Sequence, residues 1–334
     1  MFREAGEAAG AVRRLLDREQ DAIAAAAELV ANAAGPITTA ARGSSDHAVT
    51  TFKYVCETML GRPVASIGPS IASVYHAALK LEGGVHLTVS QSGASPDIVA
   101  LQETAARGGA RTVAIVNVAD SPLARAADLV LPIHAGDENS VAATKSFIAS
   151  CAALQAILAG ATNDARLKTA LHALPDALDA LQPASTDGLA NLLAETSSLY
   201  VSGRGPVLGI ALEAALKAKE TAGIHAEAFS TAELMHGPLQ LVQPGFPVVV
   251  FVAEDAGLDG TLDAIQRLRD VGGRVVPVST LDLPDGIRTP ATGHPVTDTL
   301  VFVLAWYRAI ESATRLRGLD PDRPANLRKV TETM

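Results

Sequence analysis

Cysteine is scarce. Cys56 and Cys151 are the only two, too few for a disulfide framework or a multi-cysteine zinc cluster. Both sit in apolar stretches of helical character, so they are expected to be buried, reduced thiols. Long apolar runs are also missing. No run of about 18 apolar residues occurs, and the opening Met1-Phe2-Arg3-Glu4-Ala5-Gly6-Glu7 is charged rather than apolar. On that pattern neither a membrane-spanning helix nor a secretory leader is expected, and the expected location is the cytoplasm. Nor is there a block of Lys and Arg. With 27 basic against 36 acidic residues the formal charge is −9, so the long-range field repels nucleic acid and anionic membranes. A phosphorylated substrate must therefore be captured locally. Charged residues are only 19% while hydrophobic residues reach 48%, which rules out disorder and leaves a globular chain long enough for two domains.

What is present is an alternation of apolar, β-branched runs with alanine-rich helical stretches, the pattern of βαβ units around a parallel sheet. The apolar run Val85-His86-Leu87-Thr88-Val89 leads into Ser90-Gln91-Ser92-Gly93-Ala94-Ser95, followed by Pro96. Small hydroxyls and freed backbone N–H groups at a strand-to-helix turn satisfy phosphate oxygens, and the helix dipole beyond adds positive charge. Proline suits the first turn of that helix. The whole pattern then recurs. Ile37-Thr38-Thr39-Ala40 with Gly43-Ser44-Ser45 is echoed by Leu199-Tyr200-Val201 with Gly203-Arg204-Gly205, and Gly108 through Val116 is echoed by Gly272 through Val278, roughly 160 residues later. The expected fold is therefore α/β, two tandem domains each with a mainly parallel, doubly wound, flavodoxin-like sheet. The expected boundaries are a helical segment 1–30, a first, phosphate-binding domain 31–160, a helical linker 161–190, a second domain 191–315 and a tail 316–334.

Duplication lets the two copies be compared. Where the first has its serine loop, the second reads Ala253-Glu254-Asp255-Ala256-Gly257, and two carboxylates repel a phosphate. Only the first copy can be the anion site, and Ser44 and Ser45 at the end of a neighbouring strand are placed to add hydroxyls to it. Gly203-Arg204-Gly205 lacks the full glycine spacing and the acidic residue of a dinucleotide fingerprint. The second copy carries different chemistry. Glu213, Lys217 and Glu220 fall at i, i+4 and i+7 of a helix otherwise built from small apolar residues, a charged stripe expected to face water or a cleft. His225-Ala226-Glu227 and Glu233-Leu234-Met235-His236-Gly237-Pro238 follow and favour a polar pocket. His225, Glu227 and His236 have no compact ligand spacing, so no metal is expected.

Six motifs in order, Gly43-Ser44-Ser45, Ser90-Gln91-Ser92-Gly93, Glu213 through Glu220, His225-Ala226-Glu227, Glu233 through Pro238 and Asn326-Leu327-Arg328-Lys329, resemble the tandem sugar isomerase (SIS) domains of glucosamine-6-phosphate synthase. The resemblance spans nearly the whole chain. It implies that Ser45, Ser90, Gln91, Ser92 and Ser95 bind a sugar phosphate, with Ser95 standing where the family has threonine. It implies that Glu220 moves a proton between carbons 1 and 2 with Lys217 beside it. His236 would open the sugar ring, reaching in from the neighbouring subunit of a homodimer. Lys329 matches a lysine that forms an imine with a ketose carbonyl, Arg328 beside it joins the substrate-binding set, and Val141 matches a backbone contact to the sugar. No cofactor is implied.

Departures from the synthase set the expected reaction. A glutaminase segment with its terminal cysteine is not found ahead of the SIS region. The loop Ala41-Arg42-Gly43-Ser44-Ser45-Asp46-His47 differs at Arg42 and Asp46 and is similar to stand-alone SIS-type glucosamine-6-phosphate deaminases. The expectation is a deaminase that converts glucosamine 6-phosphate and water to fructose 6-phosphate and ammonia. Its competitors are a fructosamine 6-phosphate deglycase, another amino sugar phosphate isomerase, and a non-catalytic sugar phosphate sensor. The last has no use for Lys217, Glu220, His236 and Lys329 together.

Overall fold

The computed structural model describes residues 1–329, which form two compact units: Gly10–Glu138 with Lys145–His172, and Met1–Ala9 with Asn139–Thr144 and Ala173–Lys329. The first, here the serine-loop unit, is built on five parallel strands, β1 (Ile37–Ala40), β2 (Val64–Ser66), β3 (Val85–Ser90), β4 (Arg111–Val116) and β5 (Leu129–Pro132), in the order β2-β1-β3-β4-β5. The second, the acidic-helix unit, has β6 (Ser198–Gly203), β7 (His225–Phe229), β8 (Pro247–Val252), β9 (Arg274–Ser279) and β10 (Ile287–Arg288), in the order β7-β6-β8-β9-β10. Matched strand for strand, the two orders are the same. The α/β class and the duplication expected from sequence are both present.

Strands buried on both faces need continuous apolar runs rather than alternation. Val113–Val116 and Val248–Val252 supply them, with no exposed residue in either run. In the acidic-helix unit Tyr200 packs with Val248, Val250, Val252 and Leu268. Its ring meets Phe229 edge-on at 5.2 Å and Phe246 at 5.0 Å, arrangements the ring quadrupoles favour. The helix Pro295–Leu316 buries nearly its whole length, including Trp306 and Tyr307. Cys56, on the helix Ser44–Leu60, and Cys151, on Lys145–Ala161, are buried as expected, and burial pushes the Cys56 thiol up to about 11. No helix among the described residues is long and apolar enough to cross a membrane.

Register fixes where loops can converge. Ala40 pairs with Thr88, and Ser90 pairs with Val116, so the segments leaving β1, β3 and β4 emerge from the same end of one sheet. That is the carboxyl end, where open α/β sheets hold their ligands.

Candidate active site

In the serine-loop unit, Ser90 is the last residue of β3 and Pro96 the first of the helix Pro96–Arg107, with proline in the first turn as the sequence predicts. Between them the loop folds on its own hydroxyls: the Gly93 N–H donates to Ser90 Oγ at 3.1 Å and the Ala94 N–H to Ser92 Oγ at 3.3 Å. Neighbouring segments brace it, the Asn117 N–H donating to the Gln91 carbonyl at 3.2 Å and the Leu123 N–H to the Gly93 carbonyl at 3.0 Å. Gly93 sits at φ +60°, and a Cβ there would lie 2.1 Å from Ser121 Oγ, so only glycine fits. Ser90, Gln91, Ser92 and Ser95 are half-buried, a state that leaves them reachable from solvent.

Ser44 and Ser45 open the helix Ser44–Leu60 after Gly43, whose φ of +56° turns the chain out of β1. The sequence places them in a turn; the structure puts them in the first helical turn, where the macrodipole is most favourable to an anion. Arg42 and Asp97 link the two loops. Arg42 Nε and Nη2 donate to Asp97 Oδ2 at 3.1 and 2.6 Å. The corresponding loop of the second copy is closed: Asp255 Oδ1 accepts the Gly257 N–H at 2.7 Å. A carboxylate occupies the amide there, in keeping with a single anion-binding copy.

The acidic-helix unit corrects one expectation. The stripe Glu213, Lys217, Glu220 does not face water along its length, because the side chains of Glu213 and Lys217 have no exposed surface and only that of Glu220 is reached, at 23%. The reason is a relay of partners. The Tyr307 hydroxyl, from the helix Pro295–Leu316, donates to Glu213 Oε1 at 2.8 Å. Lys217 Nζ lies 3.2 Å from Glu213 Oε1 and 2.5 Å from Glu220 Oε2. Burial disfavours the ammonium, but the two carboxylates outweigh it and hold the Lys217 pKa above the ordinary lysine value. Glu220 is thus the solvent-side end of a row on the helix Leu208–Ala222 in which one buried ammonium is shared by two carboxylates. A carboxylate oriented by a buried cation and open on one side is suited to take and return a proton.

His225 and Glu227 follow that helix in the chain rather than lying on it. They are exposed residues of the edge strand β7, with Ala226 buried between them. His236 is exposed in the turn after the short helix Thr231–Leu234, its amide donating to the Glu233 carbonyl at 2.9 Å. Lys329 is partly buried and donates from Nζ to the Ser140 carbonyl at 2.7 Å, which brings it against the segment carrying Val141. The Val141 N–H donates to the Asp322 carbonyl at 3.1 Å, and Ser140 Oγ to Asp322 Oδ1 at 2.8 Å. Glu4, itself buried, accepts the Asn139 N–H at 2.5 Å and the Ser140 N–H at 3.3 Å. Arg328 is exposed. Sequence reasoning missed Asp97, Tyr307 and Glu4, each of which acts on a residue far away in the chain. Among the described residues, no group of three or more His, Cys, Asp or Glu is arranged to hold a metal ion.

A family model described as SIS domain matches residues 31–160 and 192–282, more than half of the chain. A glutamine–fructose-6-phosphate aminotransferase (isomerizing) of Aeropyrum pernix is 37% identical over 93% of this chain and 53% of its own length. The chain spans about half the length of the curated relatives it matches. A solved structure from Silicibacter pomeroyi, provisionally described as a phosphosugar isomerase, is 41% identical with a TM-score of 0.88, covering 96% of this chain and 98% of that one. The glucosamine-6-phosphate deaminase of Thermotoga maritima is 20% identical with a TM-score of 0.81 over 99% of both chains, a likeness of fold.

Proposed function

The chain belongs to the SIS domain family, and from that premise we propose that it is an amino sugar phosphate deaminase acting on glucosamine 6-phosphate, with Glu220 as the proton-transferring base. The observation that carries this reading is the row Tyr307, Glu213, Lys217, Glu220, which holds one carboxylate at the edge of solvent on a buried ammonium. The sugar phosphate pair is supported by the aminotransferase relatives, whose name contains fructose 6-phosphate. The deaminating sense is supported by Arg42 and Asp46 in the first loop, the positions at which it resembles stand-alone SIS-type deaminases.

The chemistry has four steps. His236 relays the proton that opens the ring, giving the free aldehyde at carbon 1. Glu220 removes the carbon-2 proton as the carbonyl oxygen takes up a proton, forming an enolamine. Glu220 then returns a proton to carbon 1, leaving an imine at carbon 2. Water adds to that imine, and ammonia departs to give fructose 6-phosphate. Lys217, with no surface of its own, positions Glu220 rather than touching the sugar. Lys329 exchanges with the imine or steadies the oxygen charge. Ser44, Ser45, Ser90, Gln91, Ser92 and Ser95 hold the phosphate, and Val141 and Arg328 the rest of the sugar. We take 31–160 and 191–315 as the two SIS domains and 316–334 as the tail that closes the active site, of which 330–334 lie outside the described residues. The working form is a homodimer that shares His236, and its compartment is the cytoplasm, where buried thiols stay reduced.

The test is to incubate the purified protein with glucosamine 6-phosphate, without glutamine or metal, and to follow ammonia and fructose 6-phosphate together. Equal release of both supports the deaminase. Binding of the sugar without release moves the assignment to a deglycase or a sensor. Size-exclusion chromatography showing an active monomer would remove the shared role of His236.

A further inference from the structure

A phosphate dianion in a chain of charge −9 needs a cation close by, and the two serine loops hold one candidate. Across residues 41–47 and 90–97 the sole Lys or Arg is Arg42, while Asp46 and Asp97 are both acidic. Hydroxyls and amides bind phosphate by hydrogen bonding, yet they leave its charge uncompensated. A guanidinium supplies both charge and a matching fork of donors.

Arg42 immediately precedes Gly43-Ser44-Ser45 at the end of β1, and Asp97 lies in the first turn of the helix that follows the loop from β3. The Asp97 side chain is completely buried, whereas Arg42 is 52% exposed. Both contacts to Asp97 fall on a single oxygen, Oδ2, and use only Nε and Nη2. A guanidinium has five N–H donors, so the exposed edge of the fork keeps donors for a second anion. A buried carboxylate that anchors a half-exposed arginine between two anion-binding turns is an arrangement for presenting charge, since a salt bridge serving stability alone gains little from an exposed partner.

We propose that Arg42 is the cationic ligand of the substrate phosphate, oriented by Asp97, and that the pair makes this site selective for phosphate esters over neutral sugars. The proposal rests on the phosphate-cradle reading of the serine loops. It assigns Arg42 to binding and Asp97 to positioning, and gives neither a part in proton transfer.

Calorimetric titration with fructose 6-phosphate and with unphosphorylated fructose tests it without reference to turnover. Because R42A alone leaves a buried carboxylate without its counter-charge, the main variant is the double substitution R42M/D97N, which removes both charges, with R42K as the conservative control. Losing one charge-assisted interaction should weaken fructose 6-phosphate binding about 10- to 100-fold and flatten its salt dependence, while any fructose binding stays unchanged. R42K should recover part of the affinity, because it keeps the charge but not the fork. In turnover of glucosamine 6-phosphate, KM should rise in R42M/D97N with kcat nearly unchanged. Equal affinity for fructose 6-phosphate in the wild type and a folded R42M/D97N would overturn the role of Arg42 and leave the cradle standing. Absence of binding by the wild-type protein would overturn the cradle itself, and this proposal with it.

Discussion

Replacing Lys217 with methionine should unfold the acidic-helix unit more readily and also silence the enzyme, and the two effects are separable. Methionine approximates the length of lysine and keeps the packing, so the change removes a charge rather than a volume. The side chains of Glu213 and Lys217 have no exposed surface, and they lie 3.2 Å apart. Without the ammonium, Glu213 is a buried carboxylate that has lost its counter-charge while still accepting from the Tyr307 hydroxyl at 2.8 Å. Breaking a buried pair from one side costs about 3–5 kcal/mol, which at the entropy of a domain of this size lowers the melting temperature by about 6–20 °C. Differential scanning calorimetry of K217M reads that shift. The double variant E213Q/K217M should recover most of it, because a glutamine amide is neutral and still accepts from Tyr307, yet its turnover should stay low because Glu220 has lost its anchor. A K217M protein that melts with the wild type would refute the charged row, and a fully active double variant would refute its role in orienting Glu220.

Other consequences follow from single contacts. Glu220→Gln, at a side chain 23% exposed, should lower kcat about 100- to 10,000-fold while leaving fructose 6-phosphate affinity nearly intact, as single-turnover kinetics and calorimetry would show. Gly93→Ala forces a Cβ to 2.1 Å from Ser121 Oγ at a positive φ, so KM for the phosphorylated sugar should rise steeply. His86, wholly buried on β3 with Nδ1 2.8 Å from Thr38 Oγ1, has its pKa pushed down to about 4 by burial. The unfolded chain therefore binds more protons than the folded one as pH falls from about 6.5 toward 4, and about 3 kcal/mol of stability is lost across that window. Melting temperature against pH should show this slope in the wild type and lose it in H86N. Glu4 has a lowered pKa because hydrogen bonds from Ser140 and Asn139 outweigh its burial. Its stabilisation is present above the ordinary carboxyl pKa and lost as pH falls through the lower folded value. Glu4→Ala should cost about 1–3 kcal/mol and lower kcat, since the segment it fixes accepts Lys329 at the Ser140 carbonyl.

Much of the fold was legible because its central strands are continuous apolar runs. β1, β3, β4, β6 and β9 could be read from Ile37–Ala40, Val85–Val89, Arg111–Val116, Leu199–Val201 and Arg274–Val278, and the serine loop from the run of hydroxyls that closes β3. β7 was not legible as a strand. As an edge strand it alternates exposed His225 and Glu227 with buried Ala226, and that polarity resembles a site motif more than a sheet. The charged stripe was found, but its burial was not, because the partner that makes burial tolerable is a tyrosine 94 positions away. Helical periodicity reports which residues share a face and says nothing of what covers that face. Arg42 was visible only as a departure from a familiar loop, and its partner Asp97, 55 residues on, became apparent once parallel pairing set β1 beside β3.

The central claim is that Glu220 moves a proton at carbons 1 and 2 of a hexose 6-phosphate, and proton exchange measures this without waiting for net turnover. Fructose 6-phosphate and ammonium would be incubated with the protein in deuterium oxide and the carbon-1 hydrogens followed by NMR. The account predicts stereospecific replacement of one of the two by deuterium with the wild-type protein, and loss of that exchange with a folded E220Q that still binds the sugar. Exchange that persists undiminished in E220Q would contradict the account by placing the base elsewhere in the chain.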